Sequence, residues 1–213
     1  MDTIIRKKIE KEHYARLAHF SYFQSLANPY VGITINVDIT DFLSHIKEKK
    51  QPFFLSFLYA VATAANQVPQ LRQRIIEDEI YEYSFCKTSH TVAKEDETYS
   101  YCVLDERMPF SDFLPEAKRK QEEAKRNGSI EEDPESISYF FISSTPWLSY
   151  ASIVLPTPSP ADSNPRITWG KYFLQNERVL IPVTLLCHHA LVDGLHMARF
   201  YEALNECSIS NFV

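Results

Sequence analysis

Glycine is nearly missing from this 213-residue chain: four occur, at positions 32, 128, 170 and 194. None builds a G-x-G-x-x-G or G-x-x-x-x-G-K-[ST] string, which excludes a Rossmann or P-loop cradle for phosphates. Cysteine is equally sparse. Cys86, Cys102, Cys187 and Cys207 lie too far apart for the paired spacing of a zinc site and are too few for a disulfide scaffold, so free thiols in a reducing compartment are expected. No metal site is expected either, since H-E-x-x-H is absent. There is no basic excess: 22 Lys and Arg face 28 Asp and Glu, a net charge of −6. A surface of that balance lacks the cation density that releases counterions from a phosphate backbone, which argues against nucleic acid as a partner. Long apolar runs are also lacking. The most apolar stretch, residues 53–68, is broken by Ser56, Thr63, Asn66 and Gln67 and falls short of the ~20 residues of a membrane span. Met1 to Glu12 mixes Arg6, Lys7, Lys8 and Lys11 with acids and has no apolar signal segment, so a cytoplasmic protein that meets no membrane is expected.

What the chain does contain is an ordinary globular mixture, 45% hydrophobic and 23% charged, with no repeat and no low-complexity run. The apolar period switches along it. Residues 31–39 alternate, with Ile33, Ile35, Val37 and Ile39 on one face, which predicts a half-buried strand. Thr40 or Asp41 then reads as the N-cap of a short helix. Residues 53–67 are apolar on all sides over a helical length, which predicts a buried helix. Strand-like runs follow at 80–85, 98–104, 137–142, 167–174 and 179–186, and a charged helix at 115–127 ends at Asn127-Gly128. A last helix runs from about Gly194 to Asn205. Pro156, Pro158, Pro160 and Pro165 make the one long loop. Strands joined mostly by turns predict a large, mostly antiparallel sheet with packed helices, an α/β fold forming one domain over residues 1–213.

The chemistry-bearing string is His188-His189-Ala190-Leu191-Val192-Asp193-Gly194, where an apolar strand stops and an amphipathic helix begins. A strand end projects side chains into a cleft while holding their backbone, and histidine is the side chain suited to taking and returning a proton near neutrality. Asp193 caps the helix or braces the loop, and Gly194 eases a tight turn. On the residues alone, a buried histidine pair satisfied by backbone groups fits as well. Cys187 beside it reads either as a thiolate or as a small buried hydrophobe.

The full string HHALVDGLHMARF resembles the H-H-x-x-x-D-G signature of the chloramphenicol acetyltransferase family, related forms of which occur in dihydrolipoamide acyltransferases and peptide-synthetase condensation domains. Further segments match in order: Glu12-His13-Tyr14, Val37-Asp38-Ile39-Thr40, Ala65-Asn66-Gln67 with Leu71-Arg72, Asp78-Glu79-Ile80, Ile142-Ser143-Ser144-Thr145-Pro146-Trp147, Ile167-Thr168-Trp169-Gly170-Lys171-Tyr172 and Val179-Leu180-Ile181-Pro182-Val183. The resemblance implies the coenzyme-A-dependent acyltransferase fold and direct transfer of an acetyl group from acetyl-CoA to an acceptor hydroxyl or amine, chloramphenicol foremost. It implies His189 as general base, Ser143 as hydrogen-bond donor to the tetrahedral oxyanion and Thr168 as helper through an ordered water. Lys171 and Tyr172 would contact coenzyme A, and Asp193 would hold the active-site loop through an ion pair with an N-terminal arginine. It further implies a homotrimer with active sites at subunit boundaries, His189 arriving from one chain and the acceptor pocket from its neighbour. Phe53, Phe54 and Phe57 are candidates for part of that apolar interface.

Two departures from the family pattern bear on function. The family's N-terminal arginine reads as Glu10, which leaves Lys11, Arg6 or Arg199 as substitute partners for Asp193. Arg16 and Leu17 replace an aromatic pair, residues 20–30 are longer, Ile153 replaces an aromatic and the proline-rich loop replaces a tyrosine-bearing one. These positions line the family's antibiotic pocket, so the transfer machinery reads as intact and the acceptor site as rebuilt.

Overall fold

A computed structural model describes residues 3–131 and 133–210. The strands are β1 (Arg6–Ile9), β2 (Tyr30–Asp38), β3 (Gln73–Ile76), β4 (Glu79–Tyr83), β5 (Thr88–Ala93), β6 (Tyr99–Leu104), β7 (Phe140–Thr145), β8 (Arg166–Gly170), β9 (Phe173–Gln175) and β10 (Arg178–His188). The helices are α1 (Leu17–Gln24), α2 (Thr40–Glu48), α3 (Phe53–Gln67), α4 (Phe110–Asn127) and α5 (Gly194–Ser210). Seven strands form the main sheet in the order β2-β10-β8-β7-β5-β6, with β9 also on β10, and β1-β4-β3 form a smaller one.

The main sheet is mostly antiparallel, as expected, but β7 runs parallel to both β5 and β8. A parallel pair needs a long crossover, and the proline-rich loop supplies it: residues 146–165 carry the chain from the end of β7 back to the start of β8. Expected and observed elements differ in other places. Residues 80–85 belong to the small sheet. β1, β3 and β5 were not anticipated, being short or, in β5, rich in hydroxyl residues. α4 starts at Phe110 rather than Pro115, because Phe110 and Phe113 are buried and draw the preceding turn into the helix. The 167–174 run breaks at Lys171-Tyr172. β7 begins at Phe140 because Ser136–Ser138 is a 3-10 turn. The cap of α2 is neither Thr40 nor Asp41. Asp38 Oδ1 takes the Thr40 N–H at 3.0 Å and its hydroxyl at 2.6 Å.

The helices cover one face of the main sheet. α3 buries residues on all sides, and its Phe54 and Phe57 pack on Trp169 of β8 with ring centroids 5.4 and 5.1 Å apart. Each such side chain contributes about 1.5–3 kcal/mol through burial. The other face carries hydroxyls. In the ladder Thr184 lies opposite both Thr34 and Thr168, and Thr168 opposite Ser143, so the four share one row. The Thr34 and Thr184 hydroxyls are 2.7 Å apart, and the Tyr150 hydroxyl donates to the Thr168 carbonyl at 3.0 Å. Among the described residues no helix is long and apolar enough to cross a membrane.

Candidate active site

β10 is apolar along most of its length and ends at His188, after which a short turn leads into α5. The Asp193 carbonyl accepts the His196 and Met197 N–H groups at 2.9 and 3.1 Å, the position of an N-cap. Its Oδ1 takes the Gly194 N–H at 2.6 Å, while the Asp193 N–H is donated to His196 Nδ1 at 3.0 Å. The bond from Asp193 N–H to His196 is one half of a capping box, with histidine at the third position, while the Asp193 carboxylate serves the first helical N–H instead of the third. Gly194 itself is not demanded by the turn, since its φ is not positive and a Cβ there would meet nothing within 4 Å.

The turn separates the two histidines chemically. His188 is buried, its Nδ1 accepts the Ala190 N–H at 3.3 Å, and burial pulls its pKa down to about 4, so it stays neutral and inward. His189 is only half buried. Its Nδ1 lies 2.9 Å from the Val192 carbonyl, and because a carbonyl can only accept, Nδ1 carries the hydrogen, so that in the neutral ring the lone pair is on Nε2. The ring is stacked on Phe23 of α1, centroids 3.7 Å apart and planes 22° from parallel. The His189 backbone N–H is donated to the Pro29 carbonyl at 2.7 Å.

Asp193 has its arginine, and it is Arg16. Arg16 Nη1 meets Asp193 Oδ2 at 2.9 Å, and Nη2 donates to the His189 carbonyl at 3.2 Å, so one guanidinium ties both ends of the turn. The Arg16 hydrogen bond and the Gly194 N–H hold the Asp193 carboxyl below its usual range. Neither Lys11, Arg6 nor Arg199 takes this place: Arg16 braces the loop. Cys187 is fully covered, and burial pushes its thiol pKa up, which rules out a thiolate there near neutrality.

Ser143 and Thr168 lie elsewhere. They line a cavity of about 1010 Å³ on the hydroxyl-bearing face, together with Tyr101, Phe141, Trp147 and Arg166. His189 and Asp193 do not line it. His188 stands four residues along β10 from Thr184, whose row contains Thr168 and Ser143, an offset of about 13 Å at strand spacing. Within one chain, the His189 ring is taken up by Phe23 and the Val192 carbonyl and does not line the cavity that holds the two hydroxyls. Lys171 and Tyr172 are exposed where β8 ends, with the Lys171 N–H on the Leu148 carbonyl at 2.7 Å and the Tyr172 ring 5.4 Å from that of Phe53. They also lie outside the cavity. Phe57 is fully buried and offers no interface, whereas Phe53 and Phe54 are half buried, Phe54 reaching the cavity. Trp147, Leu148, Val154 and Leu174, from 64% to 97% exposed, do offer one. Sequence reasoning set Arg16 in the acceptor pocket instead of beside Asp193, and missed Phe23 and the Val192 carbonyl as parts of the site. Nothing in the residue pattern singles out one arginine among several N-terminal cations, or the partner of a ring.

Comparison with known proteins agrees with this architecture. The family model described as chloramphenicol acetyltransferase matches residues 5–205. A chloramphenicol acetyltransferase of Escherichia coli is 29% identical over 93% of this chain and 91% of its own. One from Bacillus pumilus is 29% identical over 91% and 89%. Among solved structures, a chloramphenicol acetyltransferase superposes with a TM-score of 0.84 at 25% identity, covering 95% of this chain and 99% of the other. The Azotobacter vinelandii dihydrolipoamide acetyltransferase, at 16% identity and a TM-score of 0.70 over 91% and 86%, shares the fold.

Proposed function

The chain belongs to the chloramphenicol acetyltransferase family, and from that premise we propose that it transfers an acetyl group from acetyl-CoA directly to a small acceptor, chloramphenicol foremost. The observation that carries the proposal is the His189 tautomer. With Nδ1–H committed to the Val192 carbonyl, Nε2 is the base. It takes the acceptor hydroxyl proton as the oxygen bonds to the thioester carbonyl carbon, and returns that proton to the departing thiolate of coenzyme A. Ser143 donates to the oxygen on which charge develops, a contribution of about 3 kcal/mol, and Thr168 assists beside it. Lys171 and Tyr172 contact coenzyme A through charge and ring. Asp193 and Arg16 hold the turn that presents the base.

The offset between His189 and the cavity supports a site shared between chains, in which the imidazole of one enters the cavity of the next. We take the assembly to be a homotrimer of single-domain, cytoplasmic chains covering residues 1–213. Another small alcohol or amine is the second reading of the acceptor, since Ile153 and the proline-rich loop stand where the family pattern carries pocket aromatics. A non-catalytic relative is disfavoured, because Arg16 supplies the ion pair to Asp193 that Glu10 at the motif position cannot. The test supplies acetyl-CoA and chloramphenicol and follows released thiol. Release by wild type and its loss in His189→Ala are expected. Release that survives His189→Ala would overturn the assigned base, and wild-type release only with other acceptors would select the second reading.

A further inference from the structure

The crossover from β7 to β8 ends in a polar cluster that acetyl transfer leaves unused. Arg166 Nη1 and Nη2 donate to Asp162 Oδ1 and Oδ2 at 2.8 and 2.7 Å, and Nη1 also to the Asn164 carbonyl at 3.1 Å. The Tyr30 hydroxyl donates to Asp162 Oδ1 at 3.0 Å and accepts the Asp162 N–H at 2.9 Å. The guanidinium carbon sits 5.7 Å from the Tyr30 ring and 5.4 Å from that of Phe141. With side chains 13% and 23% exposed, the ion pair is largely out of water, where only forked geometry and further hydrogen bonds offset desolvation. All of these conditions are met.

The cluster touches both halves of the site. Arg166 lines the cavity, one pleat from Thr168 on the same face of β8. Tyr30 lies opposite His188 in the β2–β10 ladder, the rings edge-on at 5.9 Å, and the preceding residue, Pro29, supplies the carbonyl that takes the His189 N–H. We propose that Arg166, Asp162 and Tyr30 form a clamp in which Arg166, from the cavity wall, positions the strand end that carries His189. Arg166 is thus a positioning residue that also shapes the acceptor pocket, whereas Tyr30 and Asp162, which do not line the cavity, act on His189 alone. The proposal rests on the acetyl-transfer reading of His189.

Steady-state kinetics on intact protein separate these roles. Tyr30→Phe removes one hydroxyl and is expected to lower kcat roughly tenfold, with acceptor KM and the melting temperature unchanged. Arg166→Gln is expected to lower kcat and raise acceptor KM, with Arg166→Lys recovering part of the loss because a lysine keeps the charge without the fork. A second readout needs no turnover: histidine ring resonances of the substrate-free protein. His188 faces Tyr30, Asp162 and His189, and in Arg166→Gln the unneutralised Asp162 carboxylate is expected to move its titration upward from about 4, with Asp162→Asn added to Arg166→Gln restoring it. Unchanged kcat in Tyr30→Phe, or a His188 titration unmoved by Arg166→Gln, would overturn the clamp. Wild type that turns over no acceptor would instead refute the acetyl-transfer reading, and the ring titration would then decide the clamp by itself.

Discussion

At the scale of single residues, His189 depends on three neighbours: the Val192 carbonyl for its tautomer, Phe23 for its ring plane and Arg16 for the turn beneath it. Arg16→Met should therefore lower kcat while leaving acceptor KM near wild type. The Arg16–Asp193 pair, 18% and 44% exposed, adds no more than about 1 kcal/mol of stability, so melting should barely move. Steady-state kinetics paired with thermal melts check this, and a large melting loss would show that Arg16 holds the fold rather than the base. Ser143→Ala should cost about a hundredfold in kcat, the loss of one oxyanion donor, measured by thiol release. The histidine, serine and aspartate proposed for the site stand out in the sequence because they sit in contiguous motifs. Arg16 does not, since its partner lies 177 positions away and Glu10 at the motif position points the other way.

At the scale of elements, α3 and β10 are legible because each is long and strongly patterned, and their observed ends agree with the periodicity. β5 is not, since Thr88, Ser89, His90 and Thr91 carry no apolar alternation, and burial of Thr88 and His90 under α3 and α4 comes from tertiary packing. That packing also buries Glu106, just beyond β6, where the Thr88 hydroxyl donates to its Oε1 and burial pushes its pKa up to about 8. A folded-state pKa above the unfolded value means that the folded protein binds more protons between about 4.5 and 8. Stability from this group is thus full below 4.5 and is lost as pH rises toward 8, by up to about 5 kcal/mol. Denaturant unfolding from pH 5 to 9 should show this decline in wild type and a flatter profile in Glu106→Gln. Identical profiles in the two proteins would assign the decline to other groups.

At the scale of the whole molecule, the chain presents its base just beyond the end of β10, while Ser143 and Thr168 line the cavity at the row of Thr184, four residues back along that strand. Trp147, Leu148, Val154 and Leu174 are large apolar side chains left in water, the kind of surface that a second copy covers. The most direct test of a site built from two chains is complementation between inactive variants. His189→Ala and Ser143→Ala chains, each close to inert alone, are co-expressed, purified as mixed oligomers and assayed for thiol release. If the imidazole of one chain serves the cavity of another, about a quarter of the sites in a random mixture regain both groups, and activity returns to that fraction of wild type. Mixed oligomers no more active than the variants alone would contradict the account.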